Sequence, residues 1–273
     1  MALRAVASTL CQSPESRSPI LSIRPYSLPG SRSRIFRTAS ARFPSNAMLR
    51  RNHAVAESNA ADVLFAMKRV DEALARERRS LATYEAQAKT DPANAAAQND
   101  LAIGYSKIAQ LLDATGKSAE ALAEQQRATD VHRRLAASDP KSSDMKQELA
   151  SDYNREATLQ ARLGLRDLSL ANHARAVEIS RELTAANPSD YELRFALGMA
   201  LSERAEAYVQ FAHSPRSTSR AADLATAERD CAEALDIYTK LEAARTFSGT
   251  DKEYLDKTRS QLEKIRAERA VVR

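Results

Sequence analysis

Residues 164–172 read GLRDLSLAN. Arg166, Asp167 and Leu168, followed by Asn172, have the types and spacing of a phosphoryl-transfer loop. In such a loop the Asp takes a hydroxyl proton and the Asn holds a magnesium ion. Residues 114–122 read ATGKSAEAL, and Gly116-Lys117-Ser118 imitates the end of a phosphate-cradling G-x-x-x-x-G-K-S loop. Neither chemistry is complete. The cradle needs a Gly five positions before Gly116, where the chain has Leu111, and a preceding strand, where the apolar spacing gives a helix. The transfer loop lacks a Gly-rich loop, a paired Lys and Glu, and a D-F-G. Gly116 and Gly164 stand one full step of an internal repeat apart, so both look-alikes fill one structural slot. A shared turn explains this better than shared chemistry. Asp167 is expected in the turn, and the chain is expected to have no catalytic residues and not to be an enzyme.

The remaining reactive side chains are no more convergent. His53, His132, His173 and His213 fall at four different phases with no i, i+4 partner. A metal site needs converging ligands, so the four are expected on the solvated surface, with no metal or cofactor. Tyr105 and Tyr153 are expected to pack between helices. Cys231 has only Glu228, Arg229 and Asp230 around it and no base, which predicts an inert thiol. The other cysteine, Cys11, lies in the basic leader, so the body has no internal disulfide and fits a reducing compartment.

Charge narrows the function classes. The chain of 273 residues carries a formal +5, but residues 1–42 alone hold seven Arg, no Lys and one acid, Glu15. The rest of the chain holds 34 basic and 35 acidic side chains, interleaved as on a solvated helical surface. With 5% aromatic residues and no Trp there is little to stack on bases, so nucleic acid is not an expected partner. No run of eighteen apolar residues occurs, so no membrane span is expected.

A period organises the rest. The step of forty-eight from Pro44 to Pro92 recurs unchanged to Pro140 and again to Pro188. Leu101, Leu149 and Leu197 keep the step, as do Tyr105 and Tyr153, Gly116 and Gly164, and Leu74, Leu122 and Leu170. Ala61, Ala109, Ala157 and Ala205 form a full column. A fourth unit stays in phase only with ten extra residues near 213–222. Within each unit apolar residues recur at three, four and seven among strong helix formers. Each unit is therefore a helix, a turn and a helix, predicted over 93–114 and 118–137 in the second, with Pro as the helix starter. The units run 44–91, 92–139, 140–187 and 188–245 within a domain of 43–273. Residues 251–270, with Leu255 in the Leu101 phase, form a charged capping helix.

The columns L-A/G, then Tyr, then a Gly turn followed by E-A-L, then Ala and a terminal Pro resemble the tetratricopeptide repeat. That family's unit is about 34 residues, so this period is longer by about 14. The excess divides equally: seven residues between Tyr105 and Gly116 and seven between Ala128 and Pro140. A heptad is nearly two turns and rotates the buried face by only about 20°, so each helix lengthens to about 20 residues and about 30 Å. The resemblance implies an all-α, right-handed solenoid of antiparallel helix pairs. The wording DPANAAAQNDLA, GKSAEALAEQQRA and DPKSSDMKQELA is also similar to the arrays that follow the kinase domain in bacterial serine/threonine kinases. That similarity leaves open a detached regulatory tail.

The resemblance further implies that the first helix of each unit lines a concave, protein-binding side. Its columns place Arg51, Val55 and Asn59, then Asn99, Ile103 and Lys107, then Gln147, Ser151 and Arg155 with Asn154 beside it, and then Phe195, Met199 and Glu203 in that groove. Lys107 and Arg155 give a positive centre, and Phe195 and Met199 an apolar end. A peptide or protein segment with an acidic middle and an apolar end would suit them. Val55 and Ile103 stand where the family's carboxylate clamp has Asn, so that clamp is not expected. The oligomeric state is not legible. Residues 1–42, with nine Ser, seven Arg and Pro14, Pro19, Pro25 and Pro29, fit no column and are expected to be disordered. Their composition is that of a mitochondrial transit peptide, or they are an upstream extension of a bacterial protein. The expected location is the cytoplasm, or the mitochondrial matrix if the leader is a transit peptide.

Overall fold

The computed structural model describes residues 38–39, 41–43, 46–215, 217–244 and 249–272. Residues 1–37 and 40 of the leader lie outside that set. Among the described residues the chain is all helical, and the long helices are α1 (Ala47–Ala66), α2 (Val70–Thr90), α3 (Ala95–Ala114), α4 (Ser118–Ser138) and α5 (Ser143–Arg162). After them come α6 (Arg166–Ala186), α7 (Tyr191–Ala212), α8 (Arg220–Ala243) and α9 (Gly249–Val272).

First helices begin at Ala47, Ala95, Ser143 and Tyr191, and each start has the same local cause. Asn46, Asn94, Ser142 and Asp190 are extended at the position before the helix, and each side chain accepts from the backbone N–H three residues on. The prolines are not at the first helical position, as expected from sequence, but two residues before this cap. Pro92, Pro140 and Pro188 directly follow Asp91, Asp139 and Asn187, the residues that close α2, α4 and α6. Their function is to stop the preceding helix, since the residue before Pro is pushed out of the helical region. The tight turn inside each of the first three pairs is left-handed, at Gly116 and Gly164 with φ of 79° and 73° and, in the first pair, at the equivalent Lys68 with φ of 64°.

Paired helices run antiparallel, as their contacts register. Gln87 Nε2 donates to the Ala47 carbonyl, Ser80 Oγ to that of Ala54, and Arg76 to the Glu57 carboxylate. One residue number rises as the other falls by nearly the same amount. Packing joins each helix to the next along the chain, and α9 covers α8. The core is accordingly a series of small clusters rather than one centre. Ala61, Ala109, Ala157 and Ala205 are all at most 2% exposed, as their recurrence demands. Gly198 allows a still closer approach: a Cβ there would meet the Tyr238 ring at 2.7 Å. The ten additional residues of the fourth pair are spread over longer helices and the stretch between Ala212 and Arg220 rather than confined to one loop.

Candidate functional site

The two sequence decoys resolve cleanly. Asp167 lies in the first turn of α6 and is exposed, not in the preceding turn as expected. An acid there is favoured by the helix dipole. Asn172, its supposed metal-binding partner, faces the opposite way. It is buried and donates to Glu156 and Gln160 of α5 at 3.1 Å each. Lys117 is the exposed residue before α4, and the Ser118 hydroxyl donates to Asp113. Neither pair converges on anything.

The expectation of surface histidines fails at two of the four. His132 and His173 are each 1% exposed. His132 Nδ1 is 2.6 Å from Asp152 Oδ2 and its Nε2 is 3.0 Å from Asn99 Oδ1. Asp152 is fully buried and also accepts from Gln125 Nε2 at 2.9 Å. His173 Nδ1 is 2.7 Å from Asn154 Oδ1 and its Nε2 has no partner. Burial lowers the His173 ring to about 4, with the Arg204 charge acting in the same direction, so it is neutral near pH 7. Both histidines are interior polar groups on the second helices, which surface phase could not show.

On the first helices, the groove columns do more than face outward. Arg51 binds Asp100 with two nitrogens, and Lys107 donates to Ser58 at 2.9 Å and Asp62 at 2.7 Å. Arg155 Nη1 donates to Ser106 at 3.2 Å, and Arg162 Nη1 to Asp113. Asn154 Nδ2 donates to Glu203, and Gln210 Nε2 to the Ala161 carbonyl at 2.8 Å. In these six rungs, taking Lys107 with Ser58, the partners are 49 residues apart, one period plus one residue. Each junction between successive first helices therefore has two rungs seven residues apart. The heptad that lengthens each helix supplies the room for the second rung.

Of the residues predicted to line a groove, Arg51 is exposed but paired, and Lys107 is half-buried and paired twice. Asn59 is exposed, and Asn99 sits under His132. Gln147, Asn154 and Met199 line a small cleft of about 60 Å³ between α5 and α7. Phe195 is not an open apolar end. It packs in an aromatic cluster with Tyr191, Tyr238 and Tyr254, at ring separations of 5.9, 5.2 and 5.4 Å. Tyr105 and Tyr153 pack as expected, and each has an Arg guanidinium over its ring: Arg127 at 5.7 Å and Arg175 at 5.5 Å, again one period apart. Cys231 is fully buried, and burial pushes its thiol up to about 12.

A larger cavity of about 460 Å³ opens on the first-helix side. Ser106, Gln110 and Asp113 of α3, Arg155, Thr158 and Arg162 of α5, and Glu203, Glu206 and Gln210 of α7 line it, with Lys257 of α9. Gln125 and His173 reach it from the second helices. Side chains of Arg155 and Arg162 are about half exposed. Glu203 keeps some contact with solvent but is crowded by its neighbours. Burial pushes its carboxyl up to about 7 against the nearby Arg155 charge, with Glu206 adding to the rise and Lys257 opposing it. Arg162, Glu206 and Gln210 were missed from sequence because the shorter family pattern has no column there. The same columns shifted by one heptad would have found Arg162 and Gln210.

No protein-family model matches the sequence, and no curated protein matches it. Among solved structures, BtubC (BKLC) from P. vanneervenii is similar at a TM-score of 0.52 and 14% identity, with 88% of each chain covered. YrrB, a TPR protein with an unusual peptide-binding site, aligns at a TM-score of 0.33 and 20% identity, over 82% of this chain and 99% of that one. At these identities the BtubC likeness concerns the helical-repeat fold alone.

Proposed function

We propose that the chain is a non-catalytic protein-interaction scaffold that holds a peptide or protein segment along its first-helix face. The observation that carries this reading is the 460 Å³ cavity, open to solvent and lined by three consecutive first helices. Its polar lining offers donors and acceptors on both sides of a passing chain, the arrangement that a peptide backbone and its side chains require. The positive centre lies at Arg155 and Arg162 rather than at Lys107, which Ser58 and Asp62 occupy. An apolar end at Phe195 drops out, because that ring is already packed. Nucleic acid suits the face poorly, since Asp113, Glu203 and Glu206 stand among its three cations.

Panning a random peptide library against the full chain tests the reading. Selected peptides should lose binding to Arg155→Glu with Arg162→Glu and keep it for Arg134→Glu, an exposed change on α4. Peptides that bind all three proteins equally, or a library that yields none, would show that the face is not a docking surface.

A further inference from the structure

Arg155 and Arg162 are seven residues apart on α5, so their Cα atoms lie about 10 Å apart along one helix face. Each is held by one nitrogen to a residue of α3: Arg155 Nη1 to Ser106 at 3.2 Å, and Arg162 Nη1 to Asp113. Arg155 Nη1 also lies 3.5 Å from the buried Asp152 carboxylate. In both guanidiniums the Nε and Nη2 donors are not used by these bonds. The two forks are thus fixed in place with donors to spare, which suits planar carboxylates. A peptide in the polyproline-II conformation advances about 3.1 Å per residue with three residues per turn, so acids three positions apart point the same way about 9 Å apart and match the spacing.

Glu203 lies beside this pair on α7. It accepts from Asn154 Nδ2, whose Oδ1 in turn faces His173 Nδ1. The charged groups lining the cavity are Arg155 and Arg162 on α5, Lys257 on α9, Asp113 on α3, and Glu203 and Glu206 on α7. His173 on α6 is neutral, Tyr238 on α8 is held in its protonated form by burial, and Asp152 faces His132 behind Arg155. Three cations stand against three carboxylates. With Glu203 ionised the lining sums to zero, and with Glu203 protonated it is +1.

Building on the scaffold reading, we infer that the Arg155–Arg162 face receives two carboxylates of an acidic partner segment, spaced Glu-x-x-Glu, and that protonation of Glu203 gates their entry. Ionised, Glu203 repels the incoming acid next to Arg155. Protonated, it removes that repulsion and presents an O–H donor.

The magnitude follows from Glu203 titrating near 7. If only the protonated form admits the segment, apparent affinity scales with the protonated fraction and falls about tenfold from pH 6 to pH 8. The probe is a fluorescent octapeptide with Glu at its third and sixth positions and Gly or Ser elsewhere, measured against the full chain by anisotropy at constant low salt. Its own carboxylates do not titrate in this range. Wild type should bind about ten times more tightly at pH 6 than at pH 8. Glu203→Gln should bind at the pH 6 level throughout, Glu178→Gln, an exposed change on α6 outside the cavity, should keep the wild-type slope, and Arg155→Gln should lose binding at every pH. Calorimetry on wild type in two buffers of different ionisation enthalpy should show uptake of about half a proton per probe at pH 7, a readout that needs no variant. Binding that is flat in pH, a slope that survives Glu203→Gln, or no proton uptake overturns the gate and leaves the scaffold reading standing. Preference for the same octapeptide with Lys in place of Glu, or no binding of the Glu probe at any pH, overturns the acidic partner. A library that yields no binder to wild type in the panning experiment would instead remove the scaffold itself.

Discussion

The junction between α2 and α3 and the junction between α4 and α5 use the same positions for opposite chemistry. At the first, Tyr84 is 5% exposed and lies against Gly104, where a Cβ would come 3.2 Å from the ring. One period later the ring is His132 and the facing residue is Asp152, with Nδ1 and Oδ2 2.6 Å apart. A large ring over a missing side chain has become a smaller ring against a carboxylate. The repeat holds position and filled volume, while the chemistry inside that volume is open if each buried polar group finds a partner. Asp152 meets the condition through His132, Gln125 and Arg155.

Breaking the second junction should therefore give the largest effect. Asp152→Ala leaves His132 and Gln125 without their shared acceptor inside the protein, and should cost about 3–5 kcal/mol in urea unfolding. Transplanting the first junction, His132→Tyr with Asp152→Gly, should recover the part of that loss owed to the imidazole, leaving the Gln125 amide without its acceptor and about 1 kcal/mol for a glycine in a helix. If Asp152→Ala costs less than about 1 kcal/mol, the two junctions are not equivalent in the sense argued. A second change tests the volume half of the comparison. Ala157, fully buried in the small-residue column, becomes overpacked as Leu and should lose about 1–3 kcal/mol. An unchanged unfolding midpoint would mean that the column is not where paired helices approach most closely.

The same contrast explains what could be read from the sequence. Positions that repeat were legible: the period, the helix pairs and the Ala column. So were the helix lengths, which in the first three pairs are 20 residues for each first helix and 21 residues for each second one. Positions that repeat in place but not in type were not. Glu77, Gln125, His173 and Cys231 occupy equivalent places on the four second helices, and all are at most 1% exposed. Four unlike side chains give no apolar signal, so His173 looked like a surface residue. The groove was legible only in part, because the family pattern supplied one turn of first-helix columns and the inserted heptad added another. Arg155 was found and Arg162 was not, although one rung geometry places both.

Glu77 sharpens the point about unlike residues in one slot. It is fully buried, neither carboxylate oxygen has a hydrogen-bond partner, and burial raises its carboxyl above the ordinary range against the pull of the Lys107 charge. An acid raised on folding binds more protons in the native state, so stability falls as pH rises from the unfolded value through the raised one. The next repeat uses Gln at this place. Glu77→Gln should thus match wild type near pH 4.5 and become progressively more stable than it as pH rises toward 7.5. His173 contributes a slope of opposite sign, because its lowered ring binds fewer protons when folded. Subtracting wild type from variant removes that contribution. A difference that does not change with pH would show that Glu77 folds ionised.

The turns extend the comparison to exposed positions. Lys68 takes the left-handed conformation that Gly116 and Gly164 take in the next two pairs. Since a side chain in that region costs energy that glycine does not pay, Lys68→Gly should stabilise the chain by about 0.5–1 kcal/mol despite the added freedom of the unfolded state. A loss on thermal melting would mean that Lys68 makes contacts that outweigh its strain.

Asp167 should give the smallest effect. Its carboxylate is exposed in the first turn of α6, where it gains only a screened interaction with the helix dipole. Asp167→Asn keeps the side chain's size and loses one charge, so the change in stability should stay within about 0.5 kcal/mol. Asn172, five residues on, is the harsher test of the same stretch because its amide bridges Glu156 and Gln160 inside the α5–α6 interface. Asn172→Ala should therefore destabilise more than Asp167→Asn. Catalytic chemistry would reverse the pattern. If Asp167→Asn left the fold intact but removed a measurable phosphotransfer activity, the two residues would have to serve one site, Asp167 taking the hydroxyl proton and Asn172 holding the magnesium ion. They would then need to meet on one side of α6, whereas Asp167 is in solvent and Asn172 is against α5.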